Sequence, residues 1–174
     1  FRRLFVVDRG NGALTPLFQR DDSSVGAVLD PWTRWVVGAG WVRDEYSERY
    51  FEADLQAVND RLASLFPNDT VIISSWSQNR SRFLLYIERG LDGGGYYVFD
   101  RASENLRRVG MLYPELANSA QGDRQAITYR ARDGTRIPAY LSYPLGAARE
   151  NLPLVLLVHG GPHSRDSLDF DWWA

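Results

Sequence analysis

The residues best suited to chemistry lie in one short stretch, His159-Gly160-Gly161-Pro162-His163-Ser164, which directly follows the apolar run Leu154 to Val158. Two adjacent glycines let a backbone approach a bound molecule without a Cβ in the way. Acyl transfer requires backbone N–H groups that point at the oxygen on which negative charge develops. A Gly-Gly loop after a strand suits that task, and it equally suits a plain Gly-Gly-Pro turn that ends a strand. The four residues His159 to Pro162 alone are therefore compatible with both an oxyanion loop and a plain turn.

The sequence lacks the other groups that acyl transfer needs. No serine has a glycine two positions before it, so the Gly-x-Ser-x-Gly elbow that presents a nucleophilic serine is missing. Cysteine is absent, which excludes disulfides, Cys-ligated zinc and a thiol nucleophile. Two histidines cannot form a His-rich metal site, and the carboxylates Asp166, Asp169 and Asp171 are more typical of a solvated or capping stretch before a helix. We therefore expect neither a cofactor nor a bound metal.

Composition and charge argue against two classes of protein, those that span a membrane with a helix and those that bind nucleic acid. The 174 residues are 44% hydrophobic and 24% charged, which is typical of a globular protein, and no apolar stretch approaches the length of a membrane helix. The net charge of −2 argues against a nucleic-acid partner. All 20 basic residues are arginine, which we attribute to codon usage. The compartment is unknown from the sequence: the cytoplasm is favoured, while the periplasm and secretion stay open.

The candidate loop needs a strand in front of it. Leu152 to Val158 is apolar throughout, which predicts a central strand buried on both faces in a parallel or mixed sheet. Upstream, Gln125 to Arg130 and Ile137 to Tyr143 predict a hairpin around the turn Arg132 to Thr135. Ser167 to Ala174 is typical of the approach to a helix.

Strand patterns dominate the first two thirds of the chain, with one helix between them. Ala53 to Phe66 carries an apolar stripe that starts at Leu55 and follows an i, i+3, i+7, i+10 spacing, and Pro67 ends the helix. Around Gly38 and Gly40, a strand alternates between a bulky face and a nearly bare face. This strand is Trp35 to Val42. The other predicted strand segments before the helix are Leu4 to Val7, Val25 to Leu29 and Tyr46 to Phe51.

After the helix, four short strands follow in a meander of about 40 residues, which is the length and content of one β-propeller blade. Residues 1–51 have the content of another blade. Two blades do not close a propeller, which typically has four to eight. The predicted strands of the meander are Thr70 to Trp76, Arg82 to Glu88, Tyr96 to Asp100 and Leu106 to Val109.

Three stretches carry a family resemblance: Ile127 to Leu141, Leu152 to His163 and, less specifically, Ile72 to Arg80. With these residues the sequence resembles the prolyl oligopeptidase family of serine peptidases, most closely its acylaminoacyl-peptidase and dipeptidyl-peptidase-like bacterial branch. The sequence departs from the family at Asn79, where many relatives carry Asp. The remainder of the chain fits by pattern only.

The resemblance implies a mainly β fold, with partial β-propeller blades of antiparallel sheets followed by the first strands of an α/β-hydrolase domain. The propeller blades would cover residues 1–116, and the truncated N-terminal part of the catalytic domain would cover residues 117–174. Gly161 would offer its backbone N–H to the oxyanion, with His159 fixing the loop and Gly160 leaving it room. In this fold the serine, aspartate and histidine of the triad follow the oxyanion loop, so all three are expected beyond Ala174.

The function that the resemblance implies is that of a fragment of a serine peptidase. The parent protein would hydrolyse short peptides through an acyl-enzyme, and its propeller would restrict access to the site. The expected partners are short peptides and the remaining part of the same catalytic domain, with no nucleic acid and no membrane span, and a homo-oligomer stays open. Because it has no nucleophile, the 174-residue chain alone is predicted to be inactive.

Two alternatives remain on sequence grounds. An esterase or lipase of the same hydrolase fold would share the loop at His159 but would not need propeller-like strands before it. A non-catalytic, β-rich binding module would use the same residues only as a turn. The acidic stretch Asp44 to Glu48 could form a subsite for a substrate amine, although a solvated strand edge is the favoured explanation.

Overall fold

The computed structural model describes residues 1–90, 92–116, 122–161 and 164–173. Within these ranges the chain is mainly β, with eleven strands and one helix. Ala117, the predicted first residue of the second domain, lies outside the described residues, as do Pro162 and His163 of the candidate loop and Ala174. The elements are β1 (Leu4–Val7), β2 (Leu14–Phe18), β3 (Val25–Leu29), β4 (Val36–Val42), β5 (Tyr46–Tyr50), α1 (Ala53–Leu65), β6 (Thr70–Trp76), β7 (Arg82–Glu88), β8 (Gly95–Asp100), β9 (Asn105–Met111), β10 (Asp123–Arg130) and β11 (Arg136–Tyr143).

The described strands form four antiparallel sheets in which every strand pairs with its neighbour in sequence. β1 and β2 form a hairpin, β3 to β5 form a three-stranded sheet, β6 to β9 form a four-stranded sheet, and β10 and β11 form a second hairpin. The predicted strands up to Tyr143 are therefore confirmed, with shifts of one or two residues at several ends. None of these sheets closes on itself within the described chain.

Helix α1 lies against both larger sheets and completes the core. Its apolar stripe buries Leu55, Val58 and Leu62, as the spacing predicts, while Leu65 packs at the margin. Burial of this stripe, rather than intrinsic helix propensity, stabilises a helix of this length. The rest of the core comes from the three-stranded and four-stranded sheets: Val37, Tyr50, Ile73, Trp76, Phe83, Leu85, Ile87 and Phe99.

The bare face predicted on β4 is confirmed, and it makes room for tyrosines. A Cβ on Gly38 would lie 2.6 Å from the carbonyl oxygen of Arg49 on β5 and 3.3 Å from the ring of Tyr50. A Cβ on Gly40 would collide with the hydroxyl of Tyr46. Glycine at these two positions therefore lets the β5 side chains lie flat across the neighbouring strand.

The prediction of a buried strand at Leu152 to Val158 is wrong for this structure. These residues form no strand, and the apolar side chains are exposed, with Leu154 and Val158 each at 79%. A strand buried on both faces needs a hydrogen-bonded neighbour and a packed layer on each side. Within the described residues, no other strand pairs with this segment, so its apolar side chains have nothing to pack against.

Two smaller expectations also fail. Trp35, expected to pack at an alternating strand position, precedes β4 and is 77% exposed. The segment 167–173 contains bends and a turn but no helix. Its conformation follows from contacts with distant strands, which the local sequence does not reveal. Helix α1, the one helix within the described ranges, is too short and too polar to cross a membrane.

Candidate functional site

The loop His159 to Gly161 has the backbone freedom expected of an oxyanion loop. Gly161 has a φ of +134°, a conformation that strongly favours glycine. A Cβ on Gly160 would meet no atom within 4 Å. Nδ1 of His159 lies 3.0 Å from the carbonyl oxygen of Gly160, and this is the only hydrogen bond of the ring within the described part of the chain. All three residues are exposed, so the loop is accessible.

The loop is incomplete as a catalytic site. An oxyanion hole needs a second donor and a nucleophile placed against the carbonyl carbon. Among the described residues, no serine hydroxyl hydrogen-bonds His159. The geometry thus brings the predicted residues His159, Gly160 and Gly161 together as neighbours and adds no reacting group to them.

Arg165, which follows the loop, is held by side chains from two other parts of the chain. The hydroxyl of Tyr140 on β11 donates to Oδ1 of Asp44, in the turn between β4 and β5, at 2.8 Å. Nη2 of Arg165 donates to the same hydroxyl at 2.7 Å and lies 3.5 Å from Oδ1 of Asp44. This cluster ties residue 165 to both the three-stranded sheet and the second hairpin.

Residues 167–171, which we name the tail segment, are partly buried against the four-stranded sheet. The amide of Leu168 donates to the carbonyl oxygen of Asp44 at 2.6 Å. The hydroxyl of Thr70 donates to Oδ1 of Asp169 at 3.0 Å, and Nη1 of Arg124 donates to the Asp169 carbonyl at 2.6 Å. The amide of Phe170 donates to Oε1 of Glu88 at 2.6 Å.

A cleft of about 490 Å³ opens beside the tail segment. Its walls are the β4–β5 turn, the end of β7 with the loop after it, the start of β10, and Leu168 with Asp169. The lining carries five carboxylates and two guanidinium groups, so its charge is negative. Among the described residues, no three His, Asp or Glu side chains are grouped to hold a metal ion. The charged lining residues are Glu45, Glu88, Asp92, Asp123 and Asp169, with Arg89 and Arg124.

Glu88 is the most deeply buried of these carboxylates, with only 4% of the residue exposed. Burial raises the pKa of its carboxyl, and the nearby carboxylates Asp169 and Asp92 raise it further, whereas the hydrogen bonds from the Phe170 amide and the Tyr86 hydroxyl lower it. Burial also raises the pKa of Tyr86, whose hydroxyl donates to Oε2 of Glu88 at 2.9 Å. The carboxylate is therefore held by neutral donors inside the protein.

The acidic stretch Asp44 to Glu48 divides into residues with different surroundings. Glu45 lines the cleft, while Asp44 engages Tyr140 and Arg165. Glu48 is largely buried and accepts hydrogen bonds from Tyr46 and Tyr50, which leaves it unsuited to bind a free ligand.

Sequence reasoning missed the residues that hold the tail segment, Glu88 above all. The available signal was a repeated Tyr-x-Glu-Arg pattern, at Tyr46 to Arg49 and again at Tyr86 to Arg89. In a strand, residues two apart lie on the same face, so each pattern places a hydroxyl next to a carboxylate. The contact from Glu88 to Phe170 spans 82 residues, and no local pattern predicts it.

Comparison with known proteins points to a peptidase. The dipeptidyl aminopeptidase BIII of Pseudoxanthomonas mexicana is 28% identical to this chain over 179 aligned positions, covering 96% of the chain. The chain spans only about a quarter of the length of this relative. No protein-family model matches the chain. By its name the relative is a peptidase, and thus a hydrolase, so the chain is related in sequence to a peptidase over nearly its whole length.

Proposed function

We propose that this chain is part of a serine peptidase of the prolyl oligopeptidase family. The observation that carries the proposal is the match to a dipeptidyl aminopeptidase over 96% of the chain, which includes the loop His159 to Gly161. The four-stranded antiparallel meander β6 to β9 supports it, because one propeller blade has the same strand count and order. In this proposal residues 1–116 are blades of a propeller and residues 117–174 begin the hydrolase domain.

The proposed reaction is hydrolysis of a peptide bond through an acyl-enzyme. A serine outside this sequence attacks the scissile carbonyl, and a histidine takes the serine proton and returns it to the leaving amine. The Gly161 amide donates to the oxyanion that forms on the carbonyl oxygen. The glycine conformation at Gly161 and the open space around Gly160 support this role.

The proposed substrates are short peptides from which dipeptides are released. This class follows from the name of the relative. The acidic cleft beside the tail segment is consistent with a peptide that carries a free, positively charged amino terminus. An esterase that contained this chain would not need to recognise a free amino group on its substrate.

The test compares the 174-residue chain with the full-length protein that contains it. A fluorophosphonate probe labels only an activated serine, so we expect stoichiometric labelling of the full-length protein and none of the short chain. We also expect the full-length protein to release a chromophore from a dipeptidyl substrate with a free amine, and not from its N-acetylated counterpart. Labelling of the short chain would contradict the proposal, and so would a full-length protein that cleaves esters but no peptide.

A further inference from the structure

Two strands of this chain carry the same local arrangement of a tyrosine and a glutamate. On β5 the hydroxyl of Tyr46 donates to Oε1 of Glu48 at 2.9 Å. On β7 the hydroxyl of Tyr86 donates to Oε2 of Glu88, also at 2.9 Å. In each case the second oxygen of the carboxylate needs another donor, because a buried polar atom without a partner is destabilising.

The residue two positions after each glutamate decides where that donor comes from. After Glu48 it is Tyr50, whose hydroxyl donates to Oε2 of Glu48 at 2.8 Å, and the backbone of Ile73 adds a further interaction with this carboxylate. After Glu88 it is Gly90, which has no side chain, lies beyond the end of β7 and has a φ of +62°. Oε1 of Glu88 instead accepts the Phe170 amide at 2.6 Å.

The tail segment is thereby fixed at the level of its backbone. Ring centroids of Phe170 and Tyr113 lie 5.0 Å apart, so the side chain of Phe170 is also packed. The amide of Leu168 and the carbonyl of Asp169 are held by Asp44 and Arg124. Only five residues separate Gly161 from the first residue of this docked segment, so docking limits the positions that the loop can adopt.

We propose that Glu88 is a positioning residue, whose second carboxylate oxygen, left open by Gly90, receives the Phe170 amide, fixes the tail segment against the four-stranded sheet and so restricts the His159 to Gly161 loop that precedes it in the chain. The consequence for catalysis rests on the proposed function of the loop. The docking itself does not, because it follows from contacts within the described part of the chain. Glu88 lines the cleft, but both of its carboxylate oxygens already accept hydrogen bonds from Tyr86 and Phe170, so in this role it acts through the tail segment and not on a reacting atom.

The docking is tested by hydrogen exchange, followed by mass spectrometry, on the full-length protein. Glu88→Ala removes both acceptor oxygens, and we expect exchange of the Leu168 and Phe170 amides to rise by about tenfold, as for the loss of one hydrogen bond to a charged group. Glu88→Gln keeps an acceptor oxygen and should retain most of the protection. Glu48→Ala is the matched control, because it removes the same buried arrangement at a site with no contact to the tail segment.

A second pair of variants leaves the core untouched. Phe170→Pro removes the donated N–H together with the ring, whereas Phe170→Ala removes the ring alone. We expect faster exchange at Leu168 in the proline variant than in the alanine variant. This pair keeps the proposal testable even if Glu88→Ala fails to fold.

Steady-state kinetics then test whether docking of the tail segment affects the His159 to Gly161 loop. With a dipeptidyl substrate we expect Glu88→Ala to lower kcat by about tenfold with little change in KM, because a misplaced donor weakens transition-state binding most. Glu88→Gln should restore kcat. The control Glu48→Ala should leave the ratio of kcat to KM close to that of the wild type.

The results separate three statements: that Glu88 docks the tail segment, that this docking is coupled to the position of the loop, and that the full-length protein is a serine peptidase. Unchanged exchange at Leu168 and Phe170 in Glu88→Ala, together with unchanged exchange at Leu168 in Phe170→Pro, would overturn the docking. Faster exchange with an unchanged kcat would overturn the coupling to the loop. Faster exchange in a full-length protein that neither cleaves peptides nor reacts with fluorophosphonate would support the docking and count against the proposed function alone.

Discussion

At the scale of single residues, Gly161 combines two properties that can be separated by mutation. Its backbone N–H is the proposed oxyanion donor, and its φ of +134° strongly favours glycine. Gly161→Ala keeps the N–H and strains the backbone, whereas Gly161→Pro strains the backbone and also removes the N–H. The difference between the two variants therefore reports the donor.

In the full-length protein we expect Gly161→Pro to lower kcat by roughly a hundredfold to a thousandfold relative to Gly161→Ala, since one oxyanion donor contributes about 3–4 kcal/mol to the transition state. KM should change much less, because the donor pairs best with the tetrahedral oxygen. Steady-state kinetics on both variants, with circular dichroism as the folding control, measures this. Equal kcat in the two variants would rule out Gly161 as the donor.

Glu88 and Glu48 predict how stability depends on pH. Burial raises the pKa of both carboxyls above the ordinary value of 4.5. A group with a raised pKa in the folded state contributes stability that is fully present below the ordinary pKa and is lost as the pH rises through the raised value. At each of these two residues the folded protein is therefore more stable with the carboxyl protonated than with the carboxyl ionised.

We expect Glu88→Gln and Glu48→Gln each to reduce the loss of unfolding free energy that the wild type shows as the pH rises above the ordinary carboxyl value of 4.5. Relative to the wild type, each variant should be more stable at alkaline pH than at acidic pH. Urea titrations at several pH values measure this, and a wild type that gains stability relative to both variants as pH rises would contradict it. The charged and titratable side chains that surround Glu88 are Tyr86, Asp92 and Asp169, with Glu45, Asp123, Arg89 and Arg124 around the cleft, and they are the same in the wild type and the Glu88→Gln variant.

At the scale of elements, strand glycines of this protein differ in what surrounds them. Gly40 on β4 lies under the hydroxyl of Tyr46, which donates to Glu48. Gly110 on β9 has no atom within 4 Å of the position that a Cβ would occupy. The same substitution should therefore have opposite effects at the two sites.

We expect Gly40→Ala to lower the free energy of unfolding by about 1–3 kcal/mol, because the new methyl group displaces Tyr46 from Glu48. Gly110→Ala should be neutral or stabilising by up to about 1 kcal/mol, because alanine restricts the unfolded chain more than glycine does. Equilibrium unfolding of the two variants beside the wild type measures both values. A Gly40→Ala variant as stable as Gly110→Ala would disprove the close packing on β4.

At the scale of the whole molecule, the separate sheets and the exposed apolar run favour association. The sheets remain open within the described chain, and the edges of open sheets pair readily with other chains. The run Leu154 to Val158 adds five apolar side chains in sequence, four of them about three-quarters exposed. Contiguous exposed apolar surface of this kind marks an interaction site or an aggregation risk.

We expect the isolated 174-residue chain to self-associate at concentrations of tens of micromolar, roughly where exposed edges and apolar surfaces cause aggregation. Leu156→Arg should reduce the association by placing a charge within the apolar run. Ala148→Arg is the matched control, because it adds the same charge at an exposed position outside the run. Static light scattering measures the molar mass, and a monodisperse monomer for the unmodified chain would contradict the expectation.

Local sequence patterns were sufficient for most of the elements up to Tyr143, with β2 as an element that they did not predict. The apolar stripe beginning at Leu55 predicted α1, and the alternating segments predicted the meander β6 to β9, because the periodicity of burial is set by local backbone geometry. The bare face at Gly38 and Gly40 was predicted for the same reason. The glycine loop and the missing nucleophile elbow were also evident from the residues themselves.

The conformation after residue 150 was decided by tertiary structure. An unbroken apolar run specifies only that burial would be favourable, and Leu154 to Val158 remains exposed because no described sheet offers it an edge. The docking of the tail segment depends on Asp44, Thr70, Glu88 and Arg124, which lie 45 to 124 residues from their partners along the chain. The sequence by itself determined the helix and most of the strands up to Tyr143, whereas the conformation of Leu154 to Val158 and the contacts of the tail segment depend on which distant residues the folded sheets bring together.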